Sequence, residues 1–226
     1  MTETHYFTQD ALREWTRIGE RHRLRDEYFL RSLEKNFRPG PILELGAATG
    51  HLSAILHARG YDVTASDISP IFVDAIARRG VKAALVDAAQ DIAAQTGSTY
   101  ANILAQNVLP LILRDREQLL TTLQMIHNAL EPSGRLICIS AHARRDRNPG
   151  AYFSPREQID IAQTSGLFRM LTAYPHQVVP TGLYRPWNAA MLNFLDHTLA
   201  RVAGVRLVWV MEKMDVRDSD AACQIP

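Results

Sequence analysis

The chain has 226 residues, 46% of them hydrophobic, and a formal net charge of +1. That length and apolar content suffice for one domain with a sizeable core, and the balanced charge argues against a general nucleic-acid or membrane-surface binder. Cys138 in an apolar run and Cys223 in a polar tail argue against a disulfide framework or a metal cluster, no stretch is apolar for long enough to span a bilayer, and MTETHYFTQDALREW lacks the apolar core of a leader, so a soluble cytoplasmic protein is expected.

The chain opens on a helical pattern. Leu12, Trp15, Ile18, Tyr28, Leu30 and Leu33 recur among charged residues between Thr8 and Asn36, and the pattern stops at Arg38-Pro39-Gly40-Pro41. Residues 1–38 read as a helical lid. Ile42 to Leu45 is predicted as a buried strand, and His51 to Arg59 as a helix ended by Gly60. The unit repeats with a strand over Tyr61 to Ser66, a helix from Pro70 to Arg79 closed by Gly80, and a strand over Val81 to Val86. A weak helical turn at Gln90 to Ala94, a strand at Ala101 to Ala105 and an amphipathic helix from Arg116 to Leu130 follow. The turn Glu131-Pro132-Ser133-Gly134 then leads into a fifth strand, Arg135 to Ser140. Such alternation implies a parallel sheet.

Beyond a polar loop at 141–153 come a helix from Pro155 to Ser165 and an extended stretch from Phe168 to Ala173. Residues 174–204 read as an inserted cap with a helix from Ala189 to Val202, where Leu183, Trp187, Met191 and Leu195 share an apolar stripe. The insert suits either a substrate lid or the contact of a homodimer. VRLVWVM, from Val205, is a β-branched strand before a polar tail expected to be disordered.

Chemistry concentrates in PILELGAATGHLSAIL, residues 41–56. In an alternating α/β sheet the first strand-to-helix turn lines the ligand crevice, and glycine there lets a ligand approach main-chain amides. The dinucleotide fingerprint G-x-G-x-x-G fails, because counting from Gly46 places Ala48 and His51 where its second and third glycines belong. Glu44, two residues before Gly46, suits an ammonium group better than a pyrophosphate.

These residues resemble the first motif of the class I S-adenosylmethionine-dependent methyltransferases, an acid followed by three alternating glycines, with Ala48 replacing the middle one. The resemblance runs from about residue 40 to residue 140. It implies that Glu44, Gly46, Ala47, Ala48 and Gly50 hold the methionyl end of the cofactor. Asp67 in VTASDIS would receive the ribose hydroxyls, and Ile68 would lie against the adenine. Asp87 in ALVDAAQDI would accept the adenine amino group while Ala88 offers its amide. YANILAQNVLPLI resembles the fourth motif, although Ala101 stands where an aspartate is usual, and it brings Gln106 and Asn107 to the active centre. LEPSGRLICIS resembles the turn into the fifth strand, with Ser133 in place of a glycine.

Plainer readings stand beside these. Glu44 could cap a helix or pair with a lysine, although a carboxylate after Pro41-Ile42-Leu43 is costly to bury alone. Asp67 and Asp87 are also helix-start residues. His142 in ISAHARR could take a proton from an acceptor or be merely solvated. Asn107 could orient an acceptor or satisfy strand-end backbone. Tyr6, Phe7 and Trp15 could close over a sulfonium, and Arg144, Arg145 and Arg147 could hold an acidic group.

The expected fold is α/β and Rossmann-like, a seven-stranded mixed sheet, mostly parallel with the last strand antiparallel, sandwiched by helices. The expected activity is transfer of a methyl group from S-adenosylmethionine to an oxygen or nitrogen of a small-molecule acceptor, leaving S-adenosylhomocysteine, with His142 and Asn107 as candidate catalytic residues. No nucleic acid, membrane or metal is assigned. The rival readings are a protein that binds the cofactor without methyl transfer and a nicotinamide oxidoreductase.

Overall fold

The structure is a computed structural model, and it describes residues 8–109, 115–141, 154–203 and 206–215. Helix α1 (Gln9–Leu33) begins at Thr8, whose side chain accepts from the Ala11 amide, and runs on into a short 3-10 turn, Glu34–Asn36. Then follow β1 (Ile42–Leu45), α2 (His51–Ala58), β2 (Val63–Asp67), α3 (Pro70–Ala77), β3 (Lys82–Leu85), α4 (Ile92–Thr96) and β4 (Tyr100–Gln106). The second half contains α5 (Arg116–Ala129), β5 (Leu130–Ala141), α6 (Pro155–Thr164), β6 (Phe168–His176), α7 (Ala189–Ala203) and β7 (Arg206–Lys213).

The strands form one seven-stranded sheet in the order β3-β2-β1-β4-β5-β7-β6. The pairs from β3 through β5 are parallel, and β7 lies antiparallel between β5 and β6. This is the expected Rossmann-like mixed sheet. Strand order reverses between β1 and β4, the switch point where a doubly wound sheet opens a crevice at its carboxyl ends.

Period-2 alternation sends successive side chains to opposite faces. Leu43, Ile103, Leu136, Cys138, Trp209 and Met211 pack with Leu119, Leu123 and Ile126 of α5 and with Ile161 of α6. Ile42, Val63, Ala65, Leu104, Ile137 and Val208 pack with Phe29 and Leu30 of α1 and with residues of α2 and α3. Continuing the second series by twos carries Glu44, Asp67 and Gln106 onto the face covered by α1 to α3.

Several element boundaries differ from the expectation. β2 starts at Val63, because the Tyr61 amide bonds Leu56 O at the α2 exit and its ring packs edge-on against Phe37. α4 starts at Ile92, where the Asp91 side chain caps the Ala94 amide. β5 starts at Leu130, ahead of the predicted turn: Leu130 already pairs with Tyr100, and residues 131–134 loop out before Arg135 meets Asn102, with Ser133 at φ 55°. β6 continues to His176, so the first residues of the 174–204 segment are strand; Tyr174 accepts a hydrogen bond from Asn36, and His176 is buried and stacked on Phe29. Val205 and the tail from residue 216 lie outside the described residues.

Candidate active site

The loop between β1 and α2 is tied to β2 at two points. The Ala47 amide donates to Ser66 O at 2.8 Å, and the Ala48 amide donates to Asp67 Oδ2 at 3.0 Å. Gly46, Ala48 and Gly50 all have positive φ (63°, 49° and 69°), and a Cβ on Gly46 would stand 2.5 Å from a Val108 methyl. The glycine there answers both to the backbone turn and to the close approach of the segment after β4. Just past the end of α3, Arg79 clamps the loop, its Nε donating to Thr49 O at 2.7 Å and its Nη2 meeting His51 Nε2 at 2.9 Å.

Glu44 is 4% exposed, and its Oε2 accepts the Ser53 hydroxyl in the first turn of α2. Burial is the main cause that pushes its carboxyl from the usual 4.5 up to about 7, the Ser53 bonds oppose it, and Asp26 and Asp67 add to it. Asp67 is also buried. Its second oxygen accepts the Ser69 amide at 2.9 Å, and burial raises its pKa while these backbone bonds pull the other way. Ser69, rather than Asp67, occupies the N-cap of α3, ahead of Pro70.

Asp87 follows β3 and is held to β2 through the Val86 amide, which donates to Asp67 O at 3.0 Å. Its carboxylate accepts the Ala89 amide and the Gln90 side chain, both at 3.0 Å, and Gln95 bonds its backbone on either side. Ala88 is buried beside it, whereas Ile68 at the tip of β2 is 52% exposed. At the end of β4, Gln106 pairs with Ile139, and the Asn107 amide donates to Ile139 O at 2.8 Å. Asn107 has φ 56°, and its buried Oδ1 has no hydrogen-bond partner among the described residues.

The fold therefore gathers the tips of β1, β2, β3 and β4, with every expected cofactor residue on them, at one end of the sheet. His142, Tyr6, Phe7 and the run Arg144, Arg145 and Arg147 lie outside the described residues. Trp15 is part-buried on α1. Among the described residues no three His, Cys, Asp or Glu side chains stand together as a metal site.

Sequence reading missed three contributors. Ser53, the partner of Glu44, stands on the face that period-2 alternation assigns to Glu44. Arg25 and Asp26 form a buried ion pair on α1, and Arg25 also donates to Gln177 Oε1 at 3.2 Å. Their stretch, RHRLRDEY, is charged throughout, so no sequence signal separates these two from surface residues. A cleft of about 530 Å³ between α1 and the segment after β6 is lined by Glu20, Arg21, Leu24, Gly182, Tyr184 and Arg185. None of those residues belongs to the strand tips, so the cleft lies apart from the candidate site. Beside it, on α7, Asp196 is 1% exposed and accepts the Val178 and Val179 amides and the Tyr184 hydroxyl.

The strand tips carry three carboxyl groups and an Asn107 oxygen with no partner among the described residues, beside the amide groups of Gln106 and Asn107, which can also donate. Such a set fits a ligand of hydroxyls, amino groups and positive charge, as an adenosyl amino-acid sulfonium is, and opposes a polyphosphate.

The family profile described as a methyltransferase domain matches residues 6–189. No curated protein matches the sequence significantly. Among solved structures, the N-methyltransferase NodS from Bradyrhizobium japonicum is similar at 19% identity and TM-score 0.61, covering 87% of this chain and 97% of its own. The CcbJ methyltransferase from Streptomyces caelestis is 14% identical with TM-score 0.62, over 84% of this chain and 90% of its own. The glycopeptide N-methyltransferase MtfA, solved with S-adenosylhomocysteine, is 14% identical with TM-score 0.60, over 84% and 89%. At these identities the neighbours speak for the fold, and the profile match over most of the length speaks for the family. The chain belongs to the methyltransferase-domain family, with the fold of the class I S-adenosylmethionine-dependent enzymes.

Proposed function

We propose that this protein binds S-adenosylmethionine at the β1/β4 switch point and transfers its methyl group to an oxygen or nitrogen of a small-molecule acceptor. The observation that carries the reading is the gathering of acceptor groups at the strand tips, above all the buried Oδ1 of Asn107, which has no hydrogen-bond partner among the described residues. In this reading Asp67 takes the ribose hydroxyls on the lone pairs its backbone bonds leave over. Ile68, half exposed at the strand tip, covers the adenine, and Asp87 with Ala88 reads the adenine edge. Glu44, Gly46, Ala47, Ala48, Gly50 and Gln106 form the methionyl end of the site.

When bound, the sulfonium supplies an activated methyl group that departs from a neutral thioether. The chain's own share is positioning. Asn107 Oδ1 accepts a hydrogen bond from the acceptor's amine or hydroxyl and so aims its lone pair at the methyl carbon, and His142 is assigned to take the acceptor's proton as the new bond forms. The lid at 1–38 and the cap at 174–204 close over the acceptor and exclude water. That NodS and MtfA are N-methyltransferases supports a nitrogen acceptor. The reading includes a cytoplasmic setting and neither nucleic acid nor membrane as partner; among the described residues no helix is long and apolar enough to cross a bilayer.

The test is calorimetry with S-adenosylhomocysteine and with reduced nicotinamide dinucleotide, followed by release of S-adenosylhomocysteine from S-adenosylmethionine in the presence of amine and hydroxyl acceptors. Binding of S-adenosylhomocysteine alone, and its acceptor-dependent formation, are the expected results. Dinucleotide binding with indifference to S-adenosylhomocysteine would overturn the reading.

A further inference from the structure

Helix α7 has its polarity turned inside out. A surface helix normally buries its large apolar stripe, yet the inward face of α7 holds Ala189, Asp196 and Ala200, all at most 2% exposed. Its outward face carries Met191, Phe194, Leu195 and Leu199, which are 56, 69, 38 and 48% exposed, and Trp187 in the preceding turn is 83% exposed. At 100° per residue the four helical positions fall on one face, about 12 Å long at 1.5 Å rise per residue, with Trp187 ahead of it in the turn. Leu183, 56% exposed, lies in the short turn before it.

We propose that this stripe is the contact of a homodimer, in which α7 packs antiparallel against α7 of a second copy across a two-fold axis. Three observations choose that occupant. The six side chains present roughly 700 Å² of apolar surface, taking ~150–250 Å² for a whole aromatic side chain. This exceeds the roughly 300–600 Å² of the largest patch on a typical monomer and approaches the roughly 800 Å² that each partner gives to a stable interface. The six side chains themselves carry no charge, and Arg201, seven residues after Phe194, comes at the C-terminal end of the stripe, where an antiparallel partner presents its N-terminal end, so the patch meets itself without like charges opposed, as an isologous contact demands; an amphipathic membrane helix would instead be rich in Lys and Arg, and α7 contains one Arg and no Lys. Finally, the neighbouring sheet edge is closed to self-pairing. β6 breaks register around Leu171, and Pro175 removes a donor from it, so the edge beside α7 does not compete with the helix face for a second copy.

The dimer would brace the cap, because Asp196 on the inward side of α7 holds Val178 and Val179. Sedimentation of the full chain from about 1 to 100 µM is the test, since association follows concentration. The wild-type chain is expected at twice its own mass, and Phe194→Glu at monomer mass, its dimer dissociation constant raised at least ~30-fold, as for the loss of a central anchor. Far-ultraviolet circular dichroism and S-adenosylhomocysteine binding of the variant check that it folds. A second variant does not depend on disrupting anything: in a Cys223→Ser chain, Phe194→Cys near the middle of the stripe crosslinks to its own copy under mild oxidation, and Glu117→Cys on α5 does not. A wild-type monomer throughout the range, a dimer untouched by Phe194→Glu, or absence of the Phe194→Cys crosslink would overturn the proposal. So would a monomer that sediments with phosphatidylcholine vesicles, which would assign the stripe to lipid.

Discussion

Ser53 donates its hydroxyl to the Glu44 carboxylate, joining the end of β1 to the first turn of α2 beneath the Gly46–Gly50 loop. This buried bond places an ionisable group under the candidate site, and burial outweighs it in setting the group's affinity for a proton.

Glu44 gives a pH signature of known sign. Its pKa rises from 4.5 to about 7 on folding, so between those values the native chain holds a proton that the unfolded chain has released. Its contribution is complete below pH 4.5 and is lost as pH rises through 7. Glu44→Gln removes the loss and stabilises the ligand-free protein above pH 7 by up to about 3 kcal/mol. Urea titrations of both proteins from pH 4 to 8 check this; parallel curves would refute it.

His22 on α1 acts in the opposite sense. Desolvation, then Arg25, Arg206 and Arg21, depress its pKa from 6.5 to about 4, with Asp26 opposing. Its contribution is present above pH 6.5 and is lost as pH falls through 4. The two slopes oppose each other, so the wild-type profile is flatter than either alone. His22→Asn leaves the Glu44 slope uncovered, and stability then declines steadily from about pH 4 to pH 7. A profile unchanged by the substitution would contradict this account.

Gly19 reverses the usual helix rule. Alanine in a helix interior normally gains ~1 kcal/mol over glycine. Here a Cβ would stand 1.8 Å from His51 Cδ2 and 2.4 Å from His51 Cγ, and Arg79 holds that ring. Gly19→Ala is expected to destabilise by about 1–3 kcal/mol through overpacking. In a His51→Ala background the same change becomes neutral or stabilising, a reversal readable from melting curves.

Asp67 tests the cofactor reading. Asp67→Asn keeps the shape and one acceptor oxygen while turning the other into a donor, and Asp67→Ala removes both. Calorimetry should show S-adenosylhomocysteine binding weakened by about 1–3 kcal/mol in each, the range for lost hydrogen bonds to a charged group. Wild-type affinity in both variants would remove Asp67 from the site.

Gly60, Gly80 and Gly97, all at positive φ, end helices in the structure where glycine stops a helical pattern, and Pro70 opens α3. Such local chemistry is written in single residues, so the alternation of strand and helix was readable, and with it the turn after β1. The side of the sheet on which Glu44 spends its carboxylate was readable too, had the period-2 series been carried on from Ile42. Other features depend on what the chain meets far away. Leu130 joins β5 because Tyr100 faces it, and Arg25 is buried because Gln177 and Asp26 surround it. For α7 the sequence displayed the stripe but not its direction, since Asp196 at the centre of the other face looks like a surface residue until its partners on Val178, Val179 and Tyr184 are seen.

That single aspartate fastens α7 to the chain leaving β6. Pulling Asp196 away frees two amides and a hydroxyl at once while breaking no strand-ladder bond, so α7 and residues 177–188 are expected to loosen at lower energy than global melting. Deuterium uptake at Val178 and Val179 reads that breathing directly, against a background of slow amides in β4 and β5.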